Sequence, residues 1–304
     1  MSKTQKKRKL SNDIVIIWNG GSFSPLTKAH VEISNVVCNY MREKINKPVL
    51  HYWVPVSEQY EKSSVKTDLI GKDSDLTRLT LLEKGREYLT HKELESTSEF
   101  KNIYPINYMI SSHEIEEERP VKTFESIEML KAIVNSNYWT SFDNSCFYIM
   151  LGQDNVEQIL AGKWKKPFTL LSANIICVPR PFDYIEDYQD FSIKSRVIEN
   201  LLASLNIEKM LEQEPEGFGD KMDLNITNIL ECITIIDKPI PMEIITMSST
   251  KVRDLLGKFY KETDPDIKQK IKENINKMIG FETDGYPTIE YIIKNEIYKS
   301  KPSV

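Results

Sequence analysis

Short apolar runs that are continuous rather than alternating recur along the chain, each followed by a longer amphipathic stretch, and this rhythm restricts the fold more than any other feature. The runs are Ile14 to Trp18, Val49 to Val56, Ile106 to Ile110, Phe147 to Leu151, Ile175 to Val178 and Cys232 to Ile236. Continuous apolar strands are those buried on both faces, as in a parallel sheet. Parallel neighbours need long crossovers. Amphipathic stretches near 30–45, 75–89, 121–135, 191–212 and 248–260, with another pair in the lysine- and glutamate-rich region after 264, supply helices to make them. The expected fold is therefore α/β: a Rossmann-like parallel sheet with helices on both faces and a small helical C-terminal part. Two polar segments rich in turn formers, 57–74 and 213–228, read as loops. With no internal repeat to divide it, the chain reads as one domain over 13–304 behind a disordered basic tail at 1–12.

With 304 residues, 40% of them hydrophobic, the chain can bury a substantial core. No apolar stretch approaches the roughly 20 residues of a membrane-spanning helix, and the N-terminus lacks the apolar centre of a secretory signal, so an intracellular protein with no membrane partner is expected. Cys38, Cys146, Cys177 and Cys232 stand far apart with none of the paired spacings that hold zinc, which predicts free thiols and no protein-held metal. The net charge is −5, yet Lys3, Lys6, Lys7, Arg8 and Lys9 crowd the first nine residues; without them 35 basic residues face 45 acidic ones, a net charge of −10. So acidic a body argues against nucleic acid as a partner, because such binding depends on many lysine and arginine contacts with phosphates. The run Lys6-Lys7-Arg8-Lys9 leaves a nuclear-import address and a plain solvated terminus both open, and with them nucleus and cytoplasm.

Chemistry concentrates after the first strand, at Gly20-Gly21-Ser22-Phe23-Ser24-Pro25-Leu26-Thr27-Lys28-Ala29-His30. Paired glycines let a backbone approach a ligand closely, and the helix N-terminus that follows offers unpaired N–H groups and positive potential to phosphate. Neither GxxxxGK[ST] nor GxGxxG is present, so a different kind of nucleotide loop is indicated. Thr27 and His30, three apart at a helix start, would share a face; a threonine cap beside a half-buried histidine is the plainer alternative. Far along the chain, Met247-Ser248-Ser249-Thr250-Lys251-Val252-Arg253 opens another helix, where hydroxyls can cap and also hold phosphate oxygens, with Arg253 adding a charge.

These two stretches resemble the GSFxPxTxxH loop and the late ISSTxxR motif of the nicotinamide or nicotinate mononucleotide adenylyltransferases, within the nucleotidylyltransferase superfamily. The superfamily's [HT]xGH is written Thr27-Lys28-Ala29-His30, with alanine for glycine. Further segments resemble the family in the same order: Val54-Pro55-Val56 with Tyr60, Lys62 and Arg78; Lys122-Thr123-Phe124-Glu125-Ser126-Ile127; Gly152-Gln153-Asp154; Lys163-Trp164-Lys165; Val178-Pro179-Arg180; and Tyr286 to Tyr298. The likeness runs from about residue 14 to 298 but is loose between 181 and 246. An aromatic residue that animal members place shortly before the threonine is replaced here by Arg119 and Pro120.

The resemblance implies adenylyl transfer from ATP to nicotinamide or nicotinate mononucleotide, giving a dinucleotide and pyrophosphate in pyridine nucleotide biosynthesis. It implies ATP held by Gly21, Ser22, Phe23, Thr27, His30, Ser249, Thr250, Lys251, Val252 and Arg253. The mononucleotide would be held by Ser22, Lys62, Thr123, Gly152, Asp154, Trp164 and Arg180, with Trp164 stacking on the pyridine ring. His30, Arg253 and Lys62 would carry the chemistry, and magnesium would arrive with ATP. Alternatives are another transferase of the superfamily, of pantetheine-phosphate or cytidylyl type, and a non-catalytic nucleotide-binding scaffold. The choice between amidated and acidic mononucleotide, and any association of the chain into homo-oligomers, stay open in the sequence.

Overall fold

Every residue of Ile14 to Trp18 is buried, and the side chains alternate between two apolar cores, Val15 and Ile17 on one side and Ile14, Ile16 and Trp18 on the other. Burial on both faces is what the continuous apolar run demanded. The computed structural model describes residues 14–57, 74–117, 119–138, 146–179, 192–215, 226–238, 240–281, 288–294 and 296–298. Among them six strands form one sheet: β1 (Val15–Gly21), β2 (Val49–Pro55), β3 (Ile106–Ile110), β4 (Phe147–Gly152), β5 (Ile175–Val178) and β6 (Ile233–Ile235). The spatial order is β3-β2-β1-β4-β5-β6, and every neighbouring pair is parallel.

The helices are α1 (Lys28–Ile45), α2 (Ser74–Glu95), α3 (Thr123–Tyr138), α4 (Gln153–Leu160), α5 (Pro167–Leu171), α6 (Ile193–Ser204), α7 (Ile207–Gln213), α8 (Ile226–Glu231), α9 (Met242–Ile245), α10 (Ser249–Lys261), α11 (Pro265–Ile279) and α12 (Thr288–Lys294). One core joins α1, α2 and α10–α12 to the face of the sheet that carries Ile17, Trp53 and Ile176. The other joins α3–α8 to the face that carries Trp18, Leu151 and Cys177. Helices therefore cover both faces. None of the described helices is long and apolar enough to cross a membrane.

Local chemistry sets the boundaries. Ser248 caps α10 by accepting the Lys251 N–H, and Asp264 caps α11 by accepting those of Asp266 and Ile267, with Pro265 at the first helical position. The expected single helix over 191–212 is broken: Leu205 is extended, and the side chain of Asn206 caps the second piece by accepting the Lys209 N–H. The segment 213–228, expected to be a loop, already contains the start of α8. Most of 57–74 and the basic tail lie outside the described residues.

A charged pair is embedded in the first core. Arg42 on α1 is fully buried and donates to Glu93 on α2 at 2.5 Å and to Asn39 Oδ1. Removing one partner of a buried pair strands the other charge and costs about 3–5 kcal/mol, whereas replacing both with apolar groups costs far less. Glu93→Leu should therefore lower unfolding free energy by several kcal/mol, and Arg42→Met with Glu93→Leu should recover most of it in a denaturant-unfolding double-mutant cycle.

Candidate functional site

In an open parallel sheet, a crevice forms at the carboxyl ends of adjacent strands whose crossovers run to opposite sides. Here those strands are β1 and β4. From β1 the chain crosses outward through α1 to β2, while β4 leads through α4 and α5 to β5. The glycine loop leaves β1 at this point, and Gly152, Gln153 and Asp154 leave β4 directly beside it.

The loop is closely fitted to its surroundings. A Cβ on Gly20 would lie 2.1 Å from the Trp18 ring, so only glycine lets the indole pass beneath the end of β1. Phe23 has a positive φ of 44° and is buried, and its ring meets that of His30 edge-on at 5.5 Å. The peptide between Ser24 and Pro25 is cis.

His30 lies in the first turn of α1. Its Nδ1 accepts the backbone N–H of Thr27 at 3.1 Å and lies 2.8 Å from the Thr27 hydroxyl. Accepting that N–H fixes the tautomer: Nδ1 is bare, so the neutral ring carries its proton on Nε2 as a donor. Burial lowers the His30 pKa to about 4, which keeps the ring neutral near pH 7. A polar network lies behind it. Ser34 Oγ donates to the His30 carbonyl at 2.8 Å and accepts from Trp53 Nε1 at 3.0 Å and Asn19 Nδ2 at 3.3 Å. Asn19 is also 3.5 Å from the Nε2 of His51.

The late motif meets the same loop. Ser249 Oγ donates to the Pro25 carbonyl at 2.8 Å, while Arg253 donates to the Ser24 carbonyl at 2.6 Å and to Thr250 Oγ1 at 3.2 Å. Ser24 Oγ donates to the Tyr298 hydroxyl at 3.3 Å. On the opposite side the buried Arg78 donates to the carbonyls of Val56, at 2.6 Å, and Ser22, at 3.4 Å. The loop is thus held by side chains from α2, from α10 and from the segment after α12.

Beside β4, Asp154 turns back over Gly152, its Oδ1 2.8 Å from where a Cβ would stand. Trp164 is half-buried and donates from Nε1 to Gln158 Oε1 at 3.2 Å, which holds the indole against α4. Thr123 opens α3, and the next residue, Phe124, lies 4.8 Å from the ammonium of Lys166. That contact brings the segment after α4 to the start of α3, so Thr123 and Trp164 border one region.

Several expected site residues differ in role from a simple ligand contact. Thr27 is fully buried with its hydroxyl turned to His30, so it positions the histidine. Val252 is fully buried in the core, leaving only its backbone for a ligand. Lys251 is exposed. Lys62 and Arg180 lie outside the described residues. The described residues gather no group of three or more His, Cys, Asp or Glu side chains able to hold a metal ion.

A second polar cluster lies at the ends of β2 and β3. Trp18 Nε1 donates to Ser126 Oγ at 3.1 Å, and His113 joins Ser126, at 3.0 Å from Nε2, to Ser111. Beside it the buried Glu114 has its pKa raised to about 7, chiefly by loss of hydration and against the pull of Ser126 and Arg78. Glu114 and His113 carried no periodic or motif signal of their own.

These shifts oppose each other in stability. Between pH 6.5 and about 4 the unfolded chain takes up a proton at residue 30 that the folded chain refuses, so acidification through this window destabilises the fold. His51, lowered to about 3 by burial, acts in the same direction. Glu114 acts oppositely, holding a proton in the folded chain between pH 4.5 and about 7. Urea unfolding at pH 7 and pH 4.5 should show wild type losing about 1–2 kcal/mol more than His30→Gln. Equal losses would mean that His30 titrates normally within the fold.

No family model matches the sequence, and no curated protein does. Among solved structures, the chain is similar to the Plasmodium falciparum nicotinic acid mononucleotide adenylyltransferase complexed with NaAD, with a TM-score of 0.49 and 19% identity over 93% of this chain and 96% of that one.

Proposed function

We propose that the chain is a nucleotidylyltransferase, one domain over 13–304, that transfers the adenylyl group of ATP to nicotinamide or nicotinate mononucleotide. One observation carries the reading. Two motifs more than 220 residues apart converge on one loop at the sheet's crevice, through Ser249 on Pro25 and Arg253 on Ser24. That loop also presents the neutral Nε2–H of His30. The ordered resemblance from residue 14 to 298 supports the substrates.

A 5′-phosphate oxygen of the mononucleotide attacks the α-phosphorus of ATP in line. The bond to the α,β-bridging oxygen breaks, and pyrophosphate leaves with the electron pair. Nothing in this exchange requires a covalent enzyme intermediate, so positioning and charge stabilisation carry the catalysis. The N-terminus of α1 and the N–H of Ser22 receive phosphate oxygens, and Gly21 lets the phosphate approach the loop closely. His30 donates from Nε2 as negative charge builds on the leaving pyrophosphate. Arg253 and the hydroxyls of Ser249 and Thr250 steady the triphosphate from α10, with Lys251 and the Val252 backbone beside them, and Phe23 supports the loop from beneath. By resemblance, Lys62 reaches a phosphate, and Ser22, Thr123, Gly152, Asp154, Trp164 and Arg180 hold the mononucleotide. Magnesium arriving with ATP would supply charge neutralisation to the triphosphate.

The test is dinucleotide formation from ATP, Mg²⁺ and each mononucleotide, separated by chromatography. Wild type should form product, and His30→Ala should lower kcat by about 10²–10³-fold, the usual cost of one lost transition-state donor. Absence of product from folded protein with both mononucleotides would overturn the reading, and product with phosphopantetheine instead would move the chain to another transferase of the superfamily.

A further inference from the structure

An acidic chain carries a basic rim at one edge of its crevice. Lys122, Lys163, Lys165 and Lys166 are all exposed, and none makes an ion pair with a described residue. Two of them converge on a single ring: the ammonium groups of Lys166 and Lys122 lie 4.8 Å and 6.0 Å from the centroid of Phe124. Phe124 and Trp164 both pack, half-buried, on the core that covers this face of the sheet. Lys166 adopts a left-handed backbone conformation, φ 52° and ψ 55°, immediately before the buried Pro167 and Phe168, so its main chain is anchored while its ammonium reaches the ring. The carboxylates nearby are Glu125, which pairs with Arg119 at 2.9 Å and accepts the Lys122 backbone N–H at 3.0 Å, Glu157, which accepts from Gln153 at 3.0 Å, and the exposed Asp154.

Aromatic rings accept nicotinamide and nicotinate almost equally, because stacking reads the flat heterocycle and not its substituent. A cation at the edge of the pocket distinguishes them. The neutral amide gains little from it, whereas the carboxylate gains a Coulomb attraction that partial exclusion of water strengthens. We infer that Lys166, assisted by Lys122, makes the pocket bordered by Trp164 and Phe124 selective for the mononucleotide whose ring bears a carboxylate. This inference rests on the adenylyl-transfer reading and goes beyond it by naming the substrate and the residues that select it. Phe124 supplies an aromatic surface just after Thr123, at the start of α3.

The experiment compares kcat/KM for nicotinate and nicotinamide mononucleotide, with saturating ATP and Mg²⁺, in wild type, Lys166→Gln, Lys166→Arg and Lys122→Gln, after thermal melting has shown each to be folded. Wild type should favour nicotinate by roughly tenfold or more. Lys166→Gln should cut that ratio severalfold through a higher KM for nicotinate, Lys166→Arg should preserve it, and Lys122→Gln should shift it in the same direction by less. Raising ionic strength should narrow the ratio in wild type more than in Lys166→Gln. Equal efficiency with the two substrates, a preference for the amide, or a ratio untouched by both glutamine variants would overturn the inference while leaving adenylyl transfer intact. No product with either substrate would overturn adenylyl transfer, and this inference with it.

Discussion

Everything in the molecule depends on the double pairing of β1. It hydrogen-bonds to β2 along one edge, from Val15 opposite Val49 to Gly21 opposite Pro55, and to β4 along the other, from Ile16 opposite Phe147 to Trp18 opposite Ile149. Over Ile16 to Trp18 the strand has neighbours on both edges and cores on both faces, which is why this stretch is apolar. The neighbours on its two sides are reached by chain running in opposite directions, and at its carboxyl end lie the glycine loop and the N-terminus of α1.

The loop that fills this space is held from several sides. Arg78 takes the carbonyls of Ser22 and Val56, Arg253 and Ser249 take those of Ser24 and Pro25, and Ser34 steadies the main chain of His30. Charge-assisted bonds from arginine to carbonyl oxygens are among the stronger interactions available to a loop. Their effect is to fix the main chain of the loop in one conformation.

The strands were legible because a continuous apolar run has few other uses in a chain of this composition, and all six proposed runs correspond to strands. The serine-rich start of α10 was equally readable, with Ser248 as its cap. The break at Leu205 and Asn206 was not, because apolar residues on both sides continue the helical period while the turn is set by one asparagine side chain. Buried Arg42, Arg78 and Glu114 were hidden for another reason. A charged residue reads as solvated until its partner is known, and the partner of Arg42 lies 51 positions away. At the site the histidine and the serine-rich helix start were visible as residue types, but the inward turn of the Thr27 hydroxyl, the carbonyls chosen by Arg253 and the lysines around Phe124 are properties of three-dimensional placement.

The anchors of the glycine loop span almost the whole chain, from Ser24 to Tyr298. During synthesis Ser24 is made 274 residues before Tyr298, the partner of its hydroxyl. Contacts so distant in sequence form late, after the sheet and its nearer helices have assembled. A folding chain can therefore assemble much of its core before this loop is fully fixed.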